Sequence, residues 1–441
     1  MKVIDIIREC NGKLLCGDEK KEVFKFSKDT RTIKSDEVYV GIKGSNFDGN
    51  DYIDSAFDKG CNIAVVDKMI DYSKYNDKTI IYVEDSIKAL GSLAKYKRSL
   101  FNGEVVCITG SVGKTTTKDL IVKVLSSKYK VLYSSGNSNN NIGLPLSILN
   151  GEDSDVWVLE MGMNNLGEIS YLSNIAKPTL AVITNIGTAH IGNLGSRENI
   201  LKAKLEILDG MKDKKLIINN DNDLLHEYSL HNKCITVGID NKSDYMGKIL
   251  DDKVYFDNKY INLFSSEIPF VLNSLLAYAC GSILNMSFED ISDSLSSFIL
   301  EGNRLNLVKS DKGYTIINDS YNASYDSVKL SIDILSKYKN RRIFVFADIL
   351  ELGDYSKDIH INIGKLVKES NIDMFICVGN NSYYSYEYVK NNSNIESYHF
   401  NNNSEAYDYL NKTLNKDDIV LFKGSNAMKL SEIVNKLLKC N

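Results

Sequence analysis

An apolar run, a turn with two glycines and an amphipathic segment follow one another between residues 104 and 128. The run EVVCIT is typical of a strand buried on both faces, as in a parallel sheet that helices cover. The segment from Lys114 to Lys128 has helical spacing, and its apolar positions share one face: Leu120, Ile121, Val124 and Leu125. The sequence therefore predicts a parallel α/β sheet around this segment.

Similar strand-like runs recur along the chain in three groups. Short runs alternate with turns up to residue 82, and longer runs (DVWVLE, LAVITN, KLIINN) fill the middle. The last third repeats the pattern with YTIIND, RRIFVFAD, DMFICVG and DIVLFKG. We predict three α/β domains: a small one over residues 1–82, a central parallel-sheet domain over 83–302 and a Rossmann-like domain over 303–441. The stretch EGNRLNLV, residues 301–308, is predicted to be a hinge.

The composition of the chain excludes several classes of binding partner and location. The 441 residues are 43% hydrophobic and 25% charged, which is ordinary for a globular protein of two or three domains. The net charge of −5 provides no basic surface for a nucleic-acid backbone, so we expect no nucleic-acid partner. No stretch reaches the ~18 apolar residues of a membrane span, and the N-terminus lacks the apolar core of a signal peptide. Eight scattered cysteines without a C-x-x-C pair favour a reducing, cytoplasmic location without disulfides or zinc.

The turn after EVVCIT has the composition of a phosphate-binding loop. Glycines let backbone N–H groups converge on oxygen anions, and the helix N-terminus adds positive potential. Lys114 is expected to reach the β- and γ-phosphates of ATP, and the Thr115 hydroxyl is expected to ligate Mg²⁺. An ordinary glycine-rich turn explains the glycines but not the Lys-Thr-Thr run at the helix start. The predicted ATP-binding residues of this shortened P-loop are Gly110, Ser111, Val112, Gly113, Lys114, Thr115 and Thr116.

Two later strand-like runs lead to side chains that can bind metal or carry charge. Glu160 ends the run DVWVLE, and the stretch after LAVITN supplies His190, Lys204 and Glu206. Because the carboxyl ends of parallel strands face one crevice, these side chains are predicted to lie near the phosphate loop, with Glu160 holding Mg²⁺. Taken singly, each has a structural alternative: a solvated Glu, a structural His or a surface Lys.

These motifs resemble those of the Mur ligases, the ATP-dependent amide-bond ligases of bacterial cell-wall synthesis. The matching stretches keep the same order through nearly the whole chain: SKDTR, GIKGSNFDGNDYI, GSVGKTTT, GNSNNNIGLP, EMGMNNLGEI, TNIGTAHIGNLGS, AKLEI, GNRL, INDSYNASYDS, ADILELGDYS and KGSNAM. The A-K-x-E form at Ala203–Glu206 and the stretch Tyr321-Asn322-Ala323 are the most specific. The similarity is strongest to members that add D-alanyl-D-alanine to UDP-N-acetylmuramoyl-tripeptide.

The resemblance implies a reaction in cytoplasmic peptidoglycan precursor synthesis, and so a part in cell shape and division. ATP phosphorylates the free carboxylate of the UDP-linked tripeptide, the dipeptide amine attacks the acyl phosphate, and phosphate is released. Two Mg²⁺ ions are implied, one held by Thr115 and Glu160 and one served by His190 and a carbamylated Lys204. The implied catalytic residues are Lys114, His190 and Lys204. With an unperturbed lysine pKa of ~10.4, carbamylation needs a desolvated or cation-rich pocket that depresses the pKa.

Further binding residues follow from the same resemblance. Those implied on the ATP side are Asn273, Arg304 and Asp319. Those implied to bind the substrates are Ser27, Thr30, Arg31, Lys43, Asn50, Asn139, Asn140, Tyr321 and Asn322. Since they come from different domains, catalysis is expected to need closure about the hinge, which also excludes water from the acyl phosphate. Turn chemistry is the structural alternative for the N-terminal residues. A monomer is expected.

The chain departs from the family pattern at several positions. Pro269 replaces a usual His, Gly192 stands where an acidic residue is frequent, and Asn426 stands where an Arg is common. The stretches GNR, NASY and ADILELG replace P-G-R, N-A-N-P and G-D-M-L-E-L-G. None of these changes touches the phosphate loop or the implied metal ligands. They therefore bear on substrate detail and not on the class of reaction.

Several alternatives remain open from the sequence. A sister Mur ligase would add a single amino acid to a shorter UDP-muramoyl peptide, and a folylpolyglutamate-type enzyme is a related alternative. Those enzymes usually carry an H-x-P element where this chain has SYNASY, and amino-acid adders have a D-N-P-R-like stretch that is absent here. A nucleotide-dependent switch or motor would need no second metal site. The third residue of the peptide, and D-alanyl-D-lactate as acceptor, also stay open.

Overall fold

The computed structural model describes residues 1–299 and 303–438, and these contain three β-sheets. The chain divides into two compact units. Unit 1 is Met1–Thr184 with Lys202–Ser296 and holds the first two sheets, whereas unit 2 is Asn185–Leu201 with Ser297–Asn441 and holds the third. The predicted α/β class with three sheets is confirmed.

The first sheet has five strands in the order β1-β5-β4-β3-β2. All pairs are parallel except β1 with β5. The elements are α1 (Val3–Glu9), β1 (Lys13–Cys16), β2 (Lys25–Ser27), β3 (Glu37–Val40), α2 (Ile53–Asp58), β4 (Ile63–Val66), β5 (Thr79–Tyr82) and α3 (Ser86–Ser99). Every residue of β4 is buried, as the parallel arrangement requires. The Asp85 carboxylate accepts hydrogen bonds from the backbone N–H groups of Ile87 and Lys88, which fixes the start of α3.

The second sheet has nine strands in the order β14-β13-β12-β11-β10-β9-β6-β8-β7. Its strands are β6 (Glu104–Thr109), β7 (Val131–Tyr133), β8 (Val156–Glu160), β9 (Leu180–Ile183), β10 (Leu216–Asn219), β11 (Ile235–Gly238), β12 (Tyr245–Leu250), β13 (Lys253–Phe256) and β14 (Lys259–Ile261). The helices of this part of the chain are α4 (Lys114–Leu125), α5 (Gly143–Asn150), α6 (Glu168–Ala176), α7 (Ile191–Leu194), α8 (Arg197–Leu205), α9 (Asp223–His231), α10 (Ile268–Ile283) and α11 (Phe288–Ser296). Pairs from β7 to β12 are parallel, and β12–β14 form antiparallel hairpins.

The carboxyl ends of the parallel strands place the phosphate loop and Glu160 side by side. Strand β6 pairs with β8 so that Ile108 lies opposite Glu160, and it pairs with β9 so that Thr109 lies opposite Ile183. The four apolar residues predicted on one face of α4 are all fully buried. Packing of this helix on the sheet therefore holds the loop at the edge where strands β6, β8 and β9 end.

Two neighbouring cations near the end of α3 bind the carboxyl ends of two helices. Lys97 donates from Nζ to the carbonyl of Gly151 at 2.6 Å, next to the end of α5. Arg98 donates to the carbonyls of Ala176 at 2.7 Å and Lys177 at 3.0 Å, at the end of α6. Free carbonyls at a helix end carry partial negative charge, so cations there are stabilising. Helix α3 thereby ties the first sheet to the helices of the second.

The third sheet has six strands in the order β15-β16-β20-β17-β18-β19, and only the β15–β16 pair is antiparallel. Its elements are β15 (Asn306–Lys309), β16 (Thr315–Asp319), α12 (Tyr325–Ser336), β17 (Arg342–Ala347), α13 (Ser356–Glu369), β18 (Met374–Val378), α14 (Tyr383–Asn392), β19 (Glu396–Phe400), α15 (Asn403–Thr413), β20 (Ile419–Lys423) and α16 (Ser431–Leu438). Successive β17 residues alternate between two cores: Val345 packs toward α15 and α16, and Phe346 toward α12–α14. The sheet is thus covered on both faces.

Some elements were not predicted from the sequence. Strands β12–β14 are short and partly polar, so they lack a continuous apolar run. Their turns place Asp251, Asp252, Asp257 and Asn258 in the left-handed region, which two-residue hairpin turns require. Strand β15 begins inside the predicted hinge 301–308 and takes up its last three residues, and residues 301 and 302 lie outside the described part. The limits 1–82, 83–302 and 303–441 stay a prediction.

Among the described helices, none combines the length and the apolarity that a bilayer crossing requires.

Replacing Arg98 with Met is expected to destabilise unit 1. The substitution keeps much of the apolar stem but leaves the carbonyls of Ala176 and Lys177 without their cation. We expect a loss of about 2 kcal/mol in the free energy of unfolding. The chain has one tryptophan, and it is Trp157 in β8, so its fluorescence during denaturation by urea reports on the second sheet. Arg8→Met, at an exposed ion pair, is the control and is expected to change stability by under ~0.5 kcal/mol.

Candidate functional site

The phosphate loop runs from the end of β6 to the start of α4, and close packing requires both of its glycines. Gly113 precedes α4 with φ of 84°, in the left-handed region. A Cβ atom at Gly113 would lie 2.8 Å from Oδ1 of Asn273, so this amide, predicted on the ATP side, lies against the loop. A Cβ atom at Gly110 would collide with the Thr184 hydroxyl, which donates to the Val112 carbonyl at 2.6 Å.

Glu160 is buried beside the loop and is oriented through both carboxylate oxygens. Oε2 accepts from the Thr115 hydroxyl at 2.8 Å, and Oε1 accepts from Nδ2 of Asn139 at 2.8 Å. The backbone N–H of Glu160 donates to Oγ of Ser134 at 2.9 Å. A hydroxyl and a carboxylate side by side form the type of oxygen donor set that Mg²⁺ prefers. The donor set thus fits the predicted magnesium ion.

Two lysines face the same end of the second sheet. Nζ of Lys114 donates to the carbonyls of Gly110 at 2.8 Å and Ser111 at 3.3 Å, within its own loop. Lys204, near the end of α8, is only 2% exposed, and among the described residues none forms a hydrogen bond or an ion pair with its amine. Burial holds the pKa of Lys204 well below its usual value, and the charge of Lys114 lowers the pKa further. Lys204 therefore loses its proton far more readily than an ordinary lysine.

His190 belongs to unit 2, where it faces Glu351. Nδ1 of His190 lies 2.9 Å from Oε2 of Glu351, at ion-pair distance. Both residues adopt left-handed backbone conformations, with φ of 65° and 63°. The His190 ring lowers the pKa of the Glu351 carboxyl, so this carboxyl is ionised at neutral pH. A shared metal site of His190 with Lys204 stays a prediction, because the two residues lie in different units.

Asp319, predicted on the ATP side, ends β16 in a buried ion pair. Its Oδ2 accepts from Nζ of Lys423 at 2.6 Å and from the Ser331 hydroxyl at 2.7 Å. Asp319 is 6% exposed and Lys423 is 4% exposed. Loss of either partner would leave a buried, unpaired charge. Lys423 therefore fixes the direction of the Asp319 carboxylate.

Arg304, Tyr321 and Asn322 lie close together in unit 2. The guanidinium carbon of Arg304 lies 3.9 Å from the centre of the Tyr321 ring, a cation–π contact. Asn426 donates from Nδ2 to the Tyr321 carbonyl at 3.0 Å, so the residue that replaces a common Arg holds this backbone. Asn322 accepts from the backbone N–H of Ala323 at 2.9 Å.

The predicted substrate residues of the first sheet lie on loops at the carboxyl ends of β2 and β3. Ser27 ends β2, Thr30 is partly exposed and Lys43 is exposed. Arg31 is exposed and forms an ion pair with Asp29 at 2.6 Å, and its hydrogen bonds lower the pKa of Asp29 to about 2. Asn50 is buried and donates to the Asp48 and Asp67 carboxylates at 2.7 and 2.6 Å. Its amide thus joins its own loop to Asp67, which directly follows β4.

A cavity of about 820 Å³ lies along strand β7. Lys28 lines it on the first-sheet side, and Asn140 lines it on the second-sheet side. Oδ1 of Asn140 also accepts from the N–H groups of Ile142 at 3.1 Å and Gly143 at 2.8 Å, which fixes the start of α5. The cavity is large enough for part of a nucleotide-sugar peptide.

The structure gives physical reasons for two other departures from the family pattern. A Cβ atom at Gly192 would lie 2.5 Å from the carbonyl carbon of Leu352 and 2.6 Å from the backbone nitrogen of Gly353. A side chain is thus excluded there, including the acidic one that is frequent in the family. Pro269 lies in the first turn of α10, where a missing N–H leaves no helix hydrogen bond unmade.

Sequence reasoning did not single out Thr184, Glu351 or Lys423. Thr184 directly follows β9, and Lys423 is the last residue of β20, so position at a strand end was a usable signal for both. Glu351 lies several residues after a strand, and a glutamate gives no indication in the sequence of a left-handed backbone conformation. Its place beside His190 therefore needed the structure.

Comparison with known proteins gives the family. The chain matches the Mur ligase family, catalytic domain, over residues 27–98, the Mur ligase middle domain over 108–276, and the Mur ligase, glutamate ligase domain over 303–426. A UDP-N-acetylmuramoyl-tripeptide–D-alanyl-D-alanine ligase of Bacillus subtilis is 37% identical over 426 residues, which are 93% of this chain and 92% of the relative. The chain belongs to the Mur ligase family.

Two solved structures match this Mur ligase along nearly its whole length. MurF from Acinetobacter baumannii has a TM-score of 0.88 at 26% identity, covering 99% of this chain and 98% of that one. The MurF ligase from Thermotoga maritima in complex with ADP has a TM-score of 0.80 at 28% identity, covering 94% and 96%. The family predicted from the motifs is confirmed, and this Mur ligase is an enzyme of the ligase class.

Gly113→Ala is expected to abolish nucleotide binding. The new Cβ atom would meet the Asn273 amide and would require an unfavourable left-handed alanine. We expect ADP affinity, measured by isothermal titration calorimetry, to fall by about 100-fold or more. Gly136→Ala is the matched control, because Gly136 also has a positive φ, of 55°, but meets nothing within 4 Å. An equal loss of affinity in both variants would contradict the packing argument.

Proposed function

We propose that this Mur ligase uses ATP to join D-alanyl-D-alanine to UDP-N-acetylmuramoyl-tripeptide in cytoplasmic peptidoglycan precursor synthesis. The observation that carries the proposal is the buried, unpaired Lys204 near Lys114, on the same unit as the phosphate loop and Glu160. A switch or motor that only hydrolyses a nucleotide has no need of such a lysine. The name of the Bacillus subtilis relative supports this choice of substrates.

In the proposed reaction, the tripeptide carboxylate first reacts with the triphosphate of ATP, and the amide forms in a second step. A carboxylate oxygen of the tripeptide attacks the γ-phosphorus of ATP, ADP leaves, and an acyl phosphate results. The dipeptide amine then attacks the acyl carbon, loses a proton, and expels inorganic phosphate. The first step needs concentrated positive charge, since carboxylate and triphosphate repel each other. Lys114 and the N–H groups of residues 110–116 supply that charge.

Mg²⁺ fits the donor set at Thr115 and Glu160, and a bound ion there would neutralise phosphate charge. The Thr115 hydroxyl donates its proton to Glu160, so its oxygen keeps the lone pairs that would ligate the ion. A second ion would be served by His190 and carbamylated Lys204. Among the described residues neither ligand set is complete, so phosphate and water oxygens would fill the remaining positions.

Carbamylation would convert the buried amine of Lys204 into an anion that can pair with nearby cations. Only the neutral amine adds to CO₂, and the low pKa of Lys204 supplies that form. The carbamate would be an anion within reach of the Lys114 charge, which converts a repulsion into an attraction. It would also give this position the oxygen atoms that a magnesium ion requires.

Residues of both units are proposed to complete the site. Asn273 lies against the phosphate loop and would contact the adenine side of ATP, with Arg304 and Asp319 contributing from unit 2. Tyr321 and Asn322 would bind the dipeptide. In the first sheet, Arg31 and Lys43 would bind the uridine diphosphate, because both are exposed cations. Closure of the units would exclude water from the acyl phosphate.

Phosphate release from ATP is expected only when both substrates are present. The wild-type enzyme is assayed with UDP-N-acetylmuramoyl-tripeptide plus D-alanyl-D-alanine, D-alanine or D-alanyl-D-lactate. We expect turnover with the dipeptide and none with the single amino acid, because the acceptor site is proposed to hold two residues. Turnover with D-alanine but not with the dipeptide would favour a sister ligase. Turnover that ignores both substrates would favour a switch or motor.

Lys204→Ala is expected to lower ligase turnover by roughly 100-fold or more, since several kcal/mol of charge stabilisation would be lost. Lys202→Ala, at an exposed lysine of the same helix, is the control and is expected to leave turnover unchanged. In ¹³CO₂-treated wild-type enzyme, a carbamate signal is expected by ¹³C NMR. It should weaken as pH falls through the pKa of Lys204, because protonation removes the reactive amine. A carbamate signal that persists in Lys204→Ala would refute the assignment.

A further inference from the structure

A side chain at the end of α5 pairs with the edge strand of the first sheet. Strand β2 lies at one end of that sheet, with β3 as its strand neighbour. The backbone N–H of Phe26, the middle residue of β2, donates to Oδ1 of Asn150 at 2.7 Å, and Nδ2 of Asn150 donates to the Phe26 carbonyl at 2.8 Å. A neighbouring strand can make the same two bonds with one residue of its partner. The Asn150 carboxamide therefore takes the place of a strand at this edge.

The backbone around Asn150 is itself held in place. Lys97 donates from Nζ to the carbonyls of Leu149 at 3.0 Å and Gly151 at 2.6 Å, on either side of Asn150. A Cβ atom at Gly151 would collide with the side chain of Leu132 in β7, so the end of α5 packs closely against the second sheet. The carboxamide therefore reaches β2 from a fixed point.

The loop that follows β2, residues 27–31, has a shape that its own contacts maintain. Oγ of Ser27 accepts from the N–H of Asp29 at 3.3 Å, and the Asp29 carboxylate accepts from the backbone N–H of Arg31 at 2.9 Å. At the far end, Nζ of Lys59 donates to the Arg31 carbonyl at 2.9 Å. The direction of this loop relative to the second sheet is therefore set where β2 meets the end of α5.

Lys28 in this loop lines the cavity of about 820 Å³ along β7, and Asn150 lines the same cavity. Lys28 is exposed, and it forms no ion pair with any residue in the ranges 1–299 and 303–438. The acidic residues of the lining, Glu152 and Asp153, precede β8 as Lys130 precedes the neighbouring parallel strand β7, so their charges oppose that of Lys130. Lys28 is therefore the cation that the first-sheet wall of the cavity offers to an anionic group.

We propose that Lys28 binds the diphosphate of the uridine nucleotide substrate in this cavity, and that Asn150 is a positioning residue that directs Lys28 there. The inference rests on the proposed function, in which Arg31 of the same loop binds this diphosphate. A lysine on a loop that is already in position loses less conformational freedom on binding. A carboxamide suits the positioning role because it supplies one donor and one acceptor to Phe26 without adding a charge beside Lys28.

The test is a double-mutant cycle with UDP as the probe. Isothermal titration calorimetry measures the Kd of UDP for the wild type, Lys28→Met, Asn150→Ala and the double variant. We expect each single substitution to raise the Kd by about 10-fold, since one removes the charge and the other lets the loop leave the binding position. The double variant is expected to lose little more affinity than one single variant, because Asn150 acts through Lys28.

Two controls separate this role from general effects of charge and fold. Lys34→Met and Asn102→Ala change exposed residues of the same unit outside the cavity lining, and they are expected to change the Kd of UDP by less than about 2-fold. The affinity for ADP should be the same in every variant, which reports an intact phosphate loop. If Trp157 fluorescence shows that Asn150→Ala is unfolded, Asn150→Asp replaces it, because aspartate keeps an acceptor for the Phe26 N–H but lacks the donor.

Kinetics supply the second readout. Lys28→Met and Asn150→Ala are expected to raise the KM for UDP-N-acetylmuramoyl-tripeptide by about 10-fold, with kcat and the KM for ATP nearly unchanged, because neither side chain is proposed to touch the reacting atoms. A Kd of UDP that rises about 100-fold in the double variant, or does not rise in Asn150→Ala, would overturn the positioning role. An unchanged Kd in Lys28→Met would overturn both assignments. If the wild-type enzyme joins no dipeptide while the Kd of UDP still follows Lys28 and Asn150, the proposed function falls and the cavity assignment stands.

Discussion

The burial of Lys204 beside the charge of Lys114 is the constraint on which the site in unit 1 depends. Lys204 is enclosed without a carboxylate partner, and the charge of Lys114 reaches it. Burying an unpaired ammonium group is unfavourable, so this position favours either the neutral amine or an anionic partner. Glu160, the carboxylate beside the phosphate loop, is held by Thr115 and Asn139 and not by Lys204.

The sequence was sufficient for the parts of the fold that repeat a simple period. Continuous apolar runs predicted the parallel strands, and the turn from Gly110 to Thr116 predicted the phosphate loop, because backbone geometry allows few residue types there. Strand-end logic also placed Glu160 beside Thr115. The antiparallel strands β12–β15 were not predicted from the sequence, because packing and turn geometry determine their formation more than the hydrophobic pattern does.

What the sequence could not provide is the way residues 185–201 join unit 2. Chain order suggested that His190 belongs with the strand it follows, whereas contacts with Asp326, Glu351 and Tyr355 group it with the third sheet. Those contacts depend on strained backbone conformations whose energy is offset by packing with other parts of the chain. Local sequence patterns therefore do not predict them. The amide of Asn50 is a second example, because residue type alone does not reveal that it bonds Asp48 in its own loop and Asp67 after β4.

Asp348 directly follows strand β17 of the third sheet. The N-terminus of a helix after a parallel strand is where dinucleotide-binding proteins hold a phosphate. In this chain the Asp348 carboxylate already takes the N–H groups at the start of α14. An incoming anion would have to displace the Asp348 carboxylate. Because this carboxylate belongs to the same chain, its effective concentration at the helix far exceeds that of a free metabolite. At this helix the likeness of the sheet to a cofactor-binding fold is therefore one of topology, because the N–H groups that would bind a phosphate are already bonded within the protein.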